Sequence, residues 1–138
     1  MTEGFVEPTK ESLLAFTNRN ISDELVMLNM LRFREVADYS ASPELAPSMP
    51  ISGWEAYQRY IGLAAPFLQE SGGSLMFSGE SGKHLIGPQQ EQWDLVLLIR
   101  QKSPADFMSF VSSKGYLAIV GHRTAALSDS RLLPMMET

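Results

Sequence analysis

Hydrophobic residues in this chain fall into blocks whose spacing predicts an alternation of strands and helices. The two strongest blocks are ELVMLNMLRFR at 24–34 and QWDLVLLIR at 92–100. Both are short and aliphatic on two faces, and both are bounded by polar residues, as buried strands are. Weaker strands are predicted at 74–79 and 128–136. In the last strand Pro134 favours an edge position, because proline cannot donate to the ladder.

Helices are predicted before and between the first strands. A short one spans 8–17, and a second begins at Ser52, which has capping-box spacing to Glu55. Apolar residues then recur every three or four positions, at Trp54, Tyr57, Ile61, Ala64 and Leu68. Pro66 is expected to kink this helix, and Gly72-Gly73 to end it.

The sequence pattern in the C-terminal third of the chain predicts two further helical segments. Ser103 caps the first of these, and Pro104 suits its first turn. The second spans 116–126, with Leu117, Val120 and one of the alanines at 125 and 126 facing inward. Between the strands at 74–79 and 92–100, residues 83–87 are either the return of a small hairpin or a bulged continuation.

The order of elements predicts an α+β fold. A helical extension at 1–23 precedes a domain at 24–138 with strand–helix–strand–strand–helix–strand order, which matches a ferredoxin-like βαββαβ antiparallel sheet with its helices on one face. The irregular 34–51 loop, with its three prolines, is longer than most connections in a compact domain. It is either a lid or binding loop or a surface excursion without a role; Tyr39 and Met49 are its candidates to cover a pocket.

The two strongest strands also predict a dimer. An antiparallel sheet covered by helices on one side normally has a polar second face, yet both strands are apolar on both faces. Two crossover helices cover only one of them. A second copy of the chain, paired face to face about a two-fold axis, is the expected cover for the other.

Composition narrows the class of protein. A net charge of -5 and eleven basic residues, no two of them adjacent, argue against binding to nucleic acid. The chain has no cysteine, which excludes disulfides and thiolate chemistry. No apolar run is long enough to span a bilayer, and the start of the chain does not have the pattern of a signal peptide. These features predict a cytoplasmic protein.

Several motifs together resemble one known family. They are the strand VMLNMLRFR, the helix WEAYQRY, the Gly72-Gly73 break, the Trp93-Asp94 pair, and a late helix with Tyr116 and His122-Arg123. They resemble an uncharacterised "domain of unknown function" family of the dimeric α+β barrel superfamily, which is related to antibiotic-biosynthesis monooxygenases. The resemblance covers about residues 24–136 and implies the dimeric barrel. The superfamily includes cofactor-free monooxygenases, haem-degrading and peroxidase-like enzymes, isomerases and proteins of unknown activity.

Haem-degrading relatives carry an Asn on the first strand, a Trp near the third and a His on the next helix. Asn29 and Trp93 are similar in position, but His122 lies on a later segment than the helix that starts at Ser103. The resemblance therefore does not extend to a haem site, and no cofactor is predicted. With only His84 and His122, on different elements, the sequence predicts no metal site.

Five residues are candidates for a ligand pocket. Asn29 is an amide inside an apolar strand, where an unpaired polar group costs roughly 1–3 kcal/mol. It either binds a ligand or water, or bonds a protein neighbour and fixes the strand register. Of the other four candidates, Trp93 could stack on a ligand and Tyr60 could orient it through its hydroxyl. His122 and Arg123 are an acid–base and anion-binding pair. Each of the four also has a purely structural interpretation.

Two functional hypotheses follow. The first is a small-molecule-binding protein that acts as a cofactor-independent monooxygenase or isomerase on an apolar or aromatic substrate. The second is a non-catalytic module that binds a small ligand or a partner. An apolar pocket with a few polar groups is common to both. A titratable group within reach of the ligand distinguishes the first from the second.

Overall fold

The computed structural model of the chain describes residues 4–138. The first three residues lie outside this range. The predictions of an N-terminal extension and of no signal peptide rest partly on them. The helices are α1 (Lys10–Asn18), α2 (Gly53–Glu70), α3 (Pro104–Ser112), α4 (Lys114–Ile119) and α5 (Gly121–Ala126). The strands are β1 (Leu25–Phe33), β2 (Ser74–Glu80), β3 (Leu95–Gln101) and β4 (Leu127–Met135).

The strands form one antiparallel sheet in the order β2-β3-β1-β4. The predicted α+β class and all four strands are therefore confirmed, and the order is consistent with a ferredoxin-like fold. β4 lies at an edge, as Pro134 indicated. The prediction for 92–100 began too early, because only an isolated bridge, from Lys83 to Gln92, joins the chain there before β3 starts. That bridge closes the base of the β2–β3 loop, which comprises residues 81–94.

Capping side chains set the starts of the helices. Ser52 accepts from the amide of Glu55 at the start of α2, and Ser103 accepts from Asp106 at the start of α3, as predicted. Pro66 lies inside α2, which continues to Glu70. At its end Gly72 has φ +84°, in the left-handed region that glycine adopts without strain.

Three details of the helix predictions were wrong. The segment 116–126 is two short helices, α4 and α5, that meet at Val120. Leu117 is exposed, and Tyr116 takes the inward position beside it. Trp54 is also exposed, and its ring packs edge-on against Phe33, 5.4 Å away.

Alternate residues of the central strands face the helices and form the core. On β1 the buried positions are Leu25, Met27, Asn29 and Leu31, and on β3 they include Leu95 and Leu97. Tyr57 of α2 and the two alanines that end α5 close the main cluster. We call this buried space between the sheet and helices α2, α4 and α5 the sheet–helix layer.

The opposite face of the sheet carries no helix from residues 4–138. Its aliphatic positions are half-buried on β1 and β3, at Val26, Leu28, Met30, Val96 and Leu98. Leu133 on β4 and Phe77 on β2, which pair with Leu28 and Leu98, are exposed over more than half of their surface. We call these seven residues the open face.

Helix α1 packs on the helix side of the sheet. Phe16 meets Phe107 of α3 edge-on at 6.0 Å, and both lie against a small cluster of Ile21, Leu25 and Met27. The predicted extension at 1–23 therefore shares an apolar cluster with the domain that follows it.

The 34–51 loop is folded against the body of the protein. The amide of Ala37 donates to the carbonyl of Ile51 at 2.9 Å, so the neck of the loop is closed, as in a compact Ω-loop. The amide of Asp38 donates to the carbonyl of Ala125 on α5, also at 2.9 Å. The side chain of Tyr39 is buried in the main core cluster.

The β2–β3 loop presents two aliphatic side chains to solvent. Leu85 is 99% exposed and Ile86 is 91% exposed. The loop around them is ordered by its own contacts, since the His84 ring lies 3.1 Å from the carbonyl of Glu91 through Nδ1. No helix among the described residues has the length and apolar character needed to cross a bilayer.

Candidate functional site

Asn29 points from β1 into the sheet–helix layer. It alternates with Met27 and Leu31, and it lies opposite Leu97 in the β1–β3 register, all of which face the helices. Its amide is buried, and the hydrogen bond that the structure gives it is a long one, from Nδ2 to the carbonyl of Met27 at 3.4 Å. A buried amide with so weak a partner retains most of its capacity to bind a further group.

A group of tyrosines lies in the same layer. The hydroxyls of Tyr60 on α2 and Tyr116 on α4 are 2.9 Å apart, within hydrogen-bond distance. Tyr57, one turn before Tyr60, stacks on it at a tilt with ring centroids 5.2 Å apart. Tyr60 also packs against the core cluster that contains Leu31 and Leu97, the neighbours of Asn29. The helical spacing on α2 directs the two phenols of Tyr57 and Tyr60 into the sheet–helix layer, and the register of β1 directs the amide of Asn29 into it.

Arg123 on α5 supplies the positive charge of the layer. Its Nη1 donates to the carbonyl of Val6 at 2.8 Å, which ties the N-terminal segment to α5. The positive charge of its guanidinium also lowers the pKa of the Tyr57 and Tyr60 hydroxyls, against the larger effect of burial. Because a guanidinium has five N–H donors, one bond to a carbonyl leaves several available.

Burial keeps the phenols neutral. It raises the pKa of Tyr57 to about 12, and Arg123 opposes that rise. Burial also raises the pKa of Tyr60 well above its ordinary value, and the neighbouring Tyr116 and Tyr57 add to the effect. At neutral pH the layer therefore presents phenol and guanidinium donors, and these two tyrosines are not bases.

His122, although adjacent to Arg123, points elsewhere. Its Nδ1 lies 2.7 Å from the hydroxyl of Tyr39, and both side chains are buried where the 34–51 loop meets α5. Burial lowers the pKa of His122, and Arg59 on α2 lowers it further. Burial raises the pKa of Tyr39. The imidazole therefore accepts from the phenol when its Nδ1 carries no proton.

Trp93 lies on the other side of the sheet from Asn29. Its ring contacts the guanidinium groups of Arg32 and Arg131, whose carbons are 5.7 and 5.0 Å from the ring centroid. Those arginines alternate with the helix-facing residues of β1 and β4. Trp93 is buried, and its Nε1 has no hydrogen-bond partner within residues 4–138. The structure therefore does not bring Trp93 and Asn29 together, although both were predicted to line one pocket.

The structure thus brings together three of the five predicted site residues. Asn29, Tyr60 and Arg123 face the sheet–helix layer, whereas His122 and Trp93 do not. Tyr116 was not predicted as the partner of Tyr60, nor Tyr39 as the partner of His122. Helical spacing signalled the position of Tyr57, but the inward position of Tyr116 on α4 has no strong sequence signal.

Two surface cavities lie away from this layer. One, of about 280 Å³, is at the Leu25 end of the open face and is lined by Glu24, Val26, Arg100 and Met136 among others. The second, of about 350 Å³, lies between α1 and α3. Neither is lined by Asn29, Tyr60 or Arg123. Residues 4–138 contain no cluster of three side chains suited to hold a metal ion.

Comparison with solved structures places the chain in a family. It is similar to the crystal structure of methylated RPA0582 protein, with 33% identity, a TM-score of 0.86, and coverage of 99% of this chain and 97% of that one. A second structure of RPA0582, a protein of unknown function from Rhodopseudomonas palustris, matches with a TM-score of 0.84, 33% identity and coverage of 98% of both chains. Neither the family models nor the curated proteins include a match. This chain belongs to the same family as RPA0582.

Proposed function

We propose that this protein is a homodimeric small-molecule-binding protein of the dimeric α+β barrel type, with a ferredoxin-like βαββαβ fold. Its ligand site is the sheet–helix layer around Asn29, Tyr60, Tyr116 and Arg123. The observation that carries the proposal is the buried amide of Asn29, whose hydrogen bond to Met27 is long and which faces a layer rich in donors.

The open face supports the dimer. Five aliphatic residues of β1 and β3 stand half-buried on it, and Leu133 and Phe77 extend the apolar surface to both edge strands. A contiguous apolar surface of this kind is characteristic of an interface. Two-fold pairing of the same face on two copies covers it without any other partner.

The chemistry of the layer defines the class of ligand. The tyrosine rings and the aliphatic side chains of the sheet favour an apolar or aromatic body. The amide of Asn29, the phenols and Arg123 favour one acceptor group on that body, and a carboxylate is the best match for a guanidinium. We therefore propose a small aromatic or apolar carboxylate as the ligand.

The protonation states favour binding over acid–base catalysis within the layer. Tyr57 and Tyr60 stay protonated far above neutral pH, and Arg123 stays charged. The alternative, a cofactor-independent monooxygenase or isomerase, needs a group that exchanges protons near neutrality. His122 is the residue of this kind next to the layer, and it is hydrogen-bonded to Tyr39. The enzyme hypothesis therefore depends on His122.

Calorimetric titration with 1-naphthoate and benzoate, each compared with its neutral amide, tests the ligand site. We expect the carboxylates to bind and their amides to bind more weakly. Asn29→Ala and Arg123→Met should each weaken carboxylate binding about tenfold or more, the loss of one charge-assisted hydrogen bond. Arg19→Met is the matched control, because Arg19 also donates to a backbone carbonyl at 2.8 Å but lies outside the layer.

Equal affinity in the wild type and in both layer variants would refute this site. A structure of the carboxylate complex then locates the bound group directly.

A further inference from the structure

The 34–51 loop covers one end of the sheet–helix layer. Tyr39 belongs to the same buried cluster as Tyr57, and Ala37, Leu45 and Ile51 pack against that cluster from the loop. Without this loop, Tyr57 and the end of α5 would lose their cover on that side. The loop is therefore placed between solvent and the end of the layer that Tyr57 and α5 form.

Few polar contacts hold the loop to the body of the protein. They include the backbone bonds to α5 from Arg34 to Ala126 and from Asp38 to Ala125, and the contact between Tyr39 and His122 at 2.7 Å. The loop also lies tightly on Gly121, where a Cβ would come within 2.5 Å of Ser42 Oγ. Because its neck is closed by the bond from Ala37 to Ile51, the loop has the compact form of an Ω-loop.

We propose that the 34–51 loop is a lid over the sheet–helix layer, that the Tyr39–His122 hydrogen bond latches it, and that protonation of His122 releases it. The proposal rests on the proposed function in one respect, namely that the layer beneath the lid is the ligand site. The movement of the loop itself does not depend on a ligand.

The chemistry of the latch gives its pH response. When His122 is neutral and its Nδ1 carries no proton, Nδ1 accepts from the hydroxyl of Tyr39. A protonated imidazole can only donate from Nδ1, so the bond would have to reverse and the phenol proton would have to find another acceptor. Protonation would also place a charge in a buried site beside Arg59, the charged group that acts on His122 from α2. Arg123, the next residue on α5, is engaged with Val6. The carboxylate of Asp38 is exposed, and the Ser40 amide lowers its pKa, so Asp38 stays ionised across the range of interest.

The sign of the effect follows from the direction of the shift. Since the pKa of His122 is lowered in the closed state, the closed state binds a proton less readily than an open one with the ordinary value of 6.5. Closure is therefore favoured above pH 6.5 and is progressively lost as the pH falls below it. The ratio of open to closed lid rises by up to about tenfold per pH unit until the closed-state pKa is reached.

A single spin label on the lid tests this directly. The chain has no cysteine, so Met49→Cys gives one labelling position, at a lid side chain that is 73% exposed. We expect the mobile component of the nitroxide spectrum to grow as the pH is lowered from 8 to 5. The control label, Leu14→Cys on α1, replaces a side chain that is 63% exposed and should show no such change.

Two variants in the labelled background assign the response. His122→Asn keeps an acceptor near the position of Nδ1 but does not titrate, so its spectrum should not change with pH. Tyr39→Phe lacks the latch, so its open-to-closed ratio should be roughly fivefold higher at pH 8, as loss of one neutral hydrogen bond implies. Far-UV circular dichroism verifies that both variants are folded; if one is not, the other still decides.

A label at position 49 that does not respond to pH would overturn the proposal, as would an unchanged pH response in His122→Asn. Because no ligand is present, this result is independent of the titrations with naphthoate and benzoate. A lid that opens in a protein that binds neither probe would leave the latch standing and remove the proposed ligand site.

Discussion

The two faces of the sheet are equally aliphatic along β1 but differ in what covers them. Leu31 faces the helices and is fully buried, whereas Leu28 faces away and is half-buried within one protomer. The helix side also contains the polar groups, an amide, three phenols and a guanidinium, whereas the centre of the open face is apolar. Polar groups therefore accompany the face that the helices of the same chain cover, whereas the centre of the face proposed to meet a second copy has none.

Truncating one leucine on each face should give the largest contrast in stability. Leu31→Ala removes a side chain that is 0% exposed and should lower the free energy of unfolding by about 2–5 kcal/mol. Leu28→Ala should cost roughly 1 kcal/mol or less within a protomer, because it is partly solvated there. Urea denaturation at several protein concentrations measures both; equal losses that do not vary with concentration would remove the distinction between the faces.

A charge on the open face should separate the protomers. Leu28→Glu should raise the dimer dissociation constant on the order of a hundredfold or more, since an unpaired buried carboxylate costs several kcal/mol. Leu14→Glu, on the exposed side of α1, is the control and should leave the dimer intact. Sedimentation equilibrium at micromolar concentration measures the mass, and a wild-type protein that is monomeric there contradicts the dimer.

The hydroxyls of Tyr60 and Tyr116, on the helix side of the sheet, should contribute to stability as a coupled pair. Tyr60→Phe and Tyr116→Phe should each lower the free energy of unfolding by about 1–3 kcal/mol, because each leaves the other hydroxyl buried without its partner. The double variant should lose clearly less than the sum of the two. Additive losses in urea denaturation would mean that the two hydroxyls do not interact.

Alkaline pH should lower the free energy of unfolding gradually, through the tyrosines on the helix side of the sheet. The pKa of Tyr57 is raised from 10 to about 12, so the folded state retains a proton that the unfolded state releases. Stability is therefore intact below pH 10 and falls between pH 10 and 12, by up to about 1.4 kcal/mol per pH unit from this residue. Tyr57→Phe should flatten that decline, measured by urea denaturation at each pH; an unchanged slope would exclude Tyr57 as its source.

The fold was largely predictable from sequence because its signals are local. Strand periodicity and the caps at Ser52 and Ser103 were sufficient to place β1, α2 and α3, since each depends on neighbours within a few residues. The division of 116–126 at Val120 was not predictable, because tertiary packing turns Tyr116 rather than Leu117 inward.

The candidate site was only partly predictable, for a different reason. The type of residue identified Asn29 as a buried polar group, but only the register of β1 against β3 decides which face it takes. Trp93 precedes β3, so strand alternation does not extend to it. The direction of His122 depends on a loop whose packing has no periodic signal.

The β2–β3 loop divides the chain so that β1 and β2 precede it and β3 and β4 follow it. In the strand order β2-β3-β1-β4, all three pairings join a strand from the first part to one from the second. Cleavage between Leu85 and Ile86 would therefore leave two fragments, neither of which contains a pair of neighbouring strands. Each fragment would have to find its complement to form any sheet, so this loop is a natural position at which to divide the protein into two halves that report on their own reassembly.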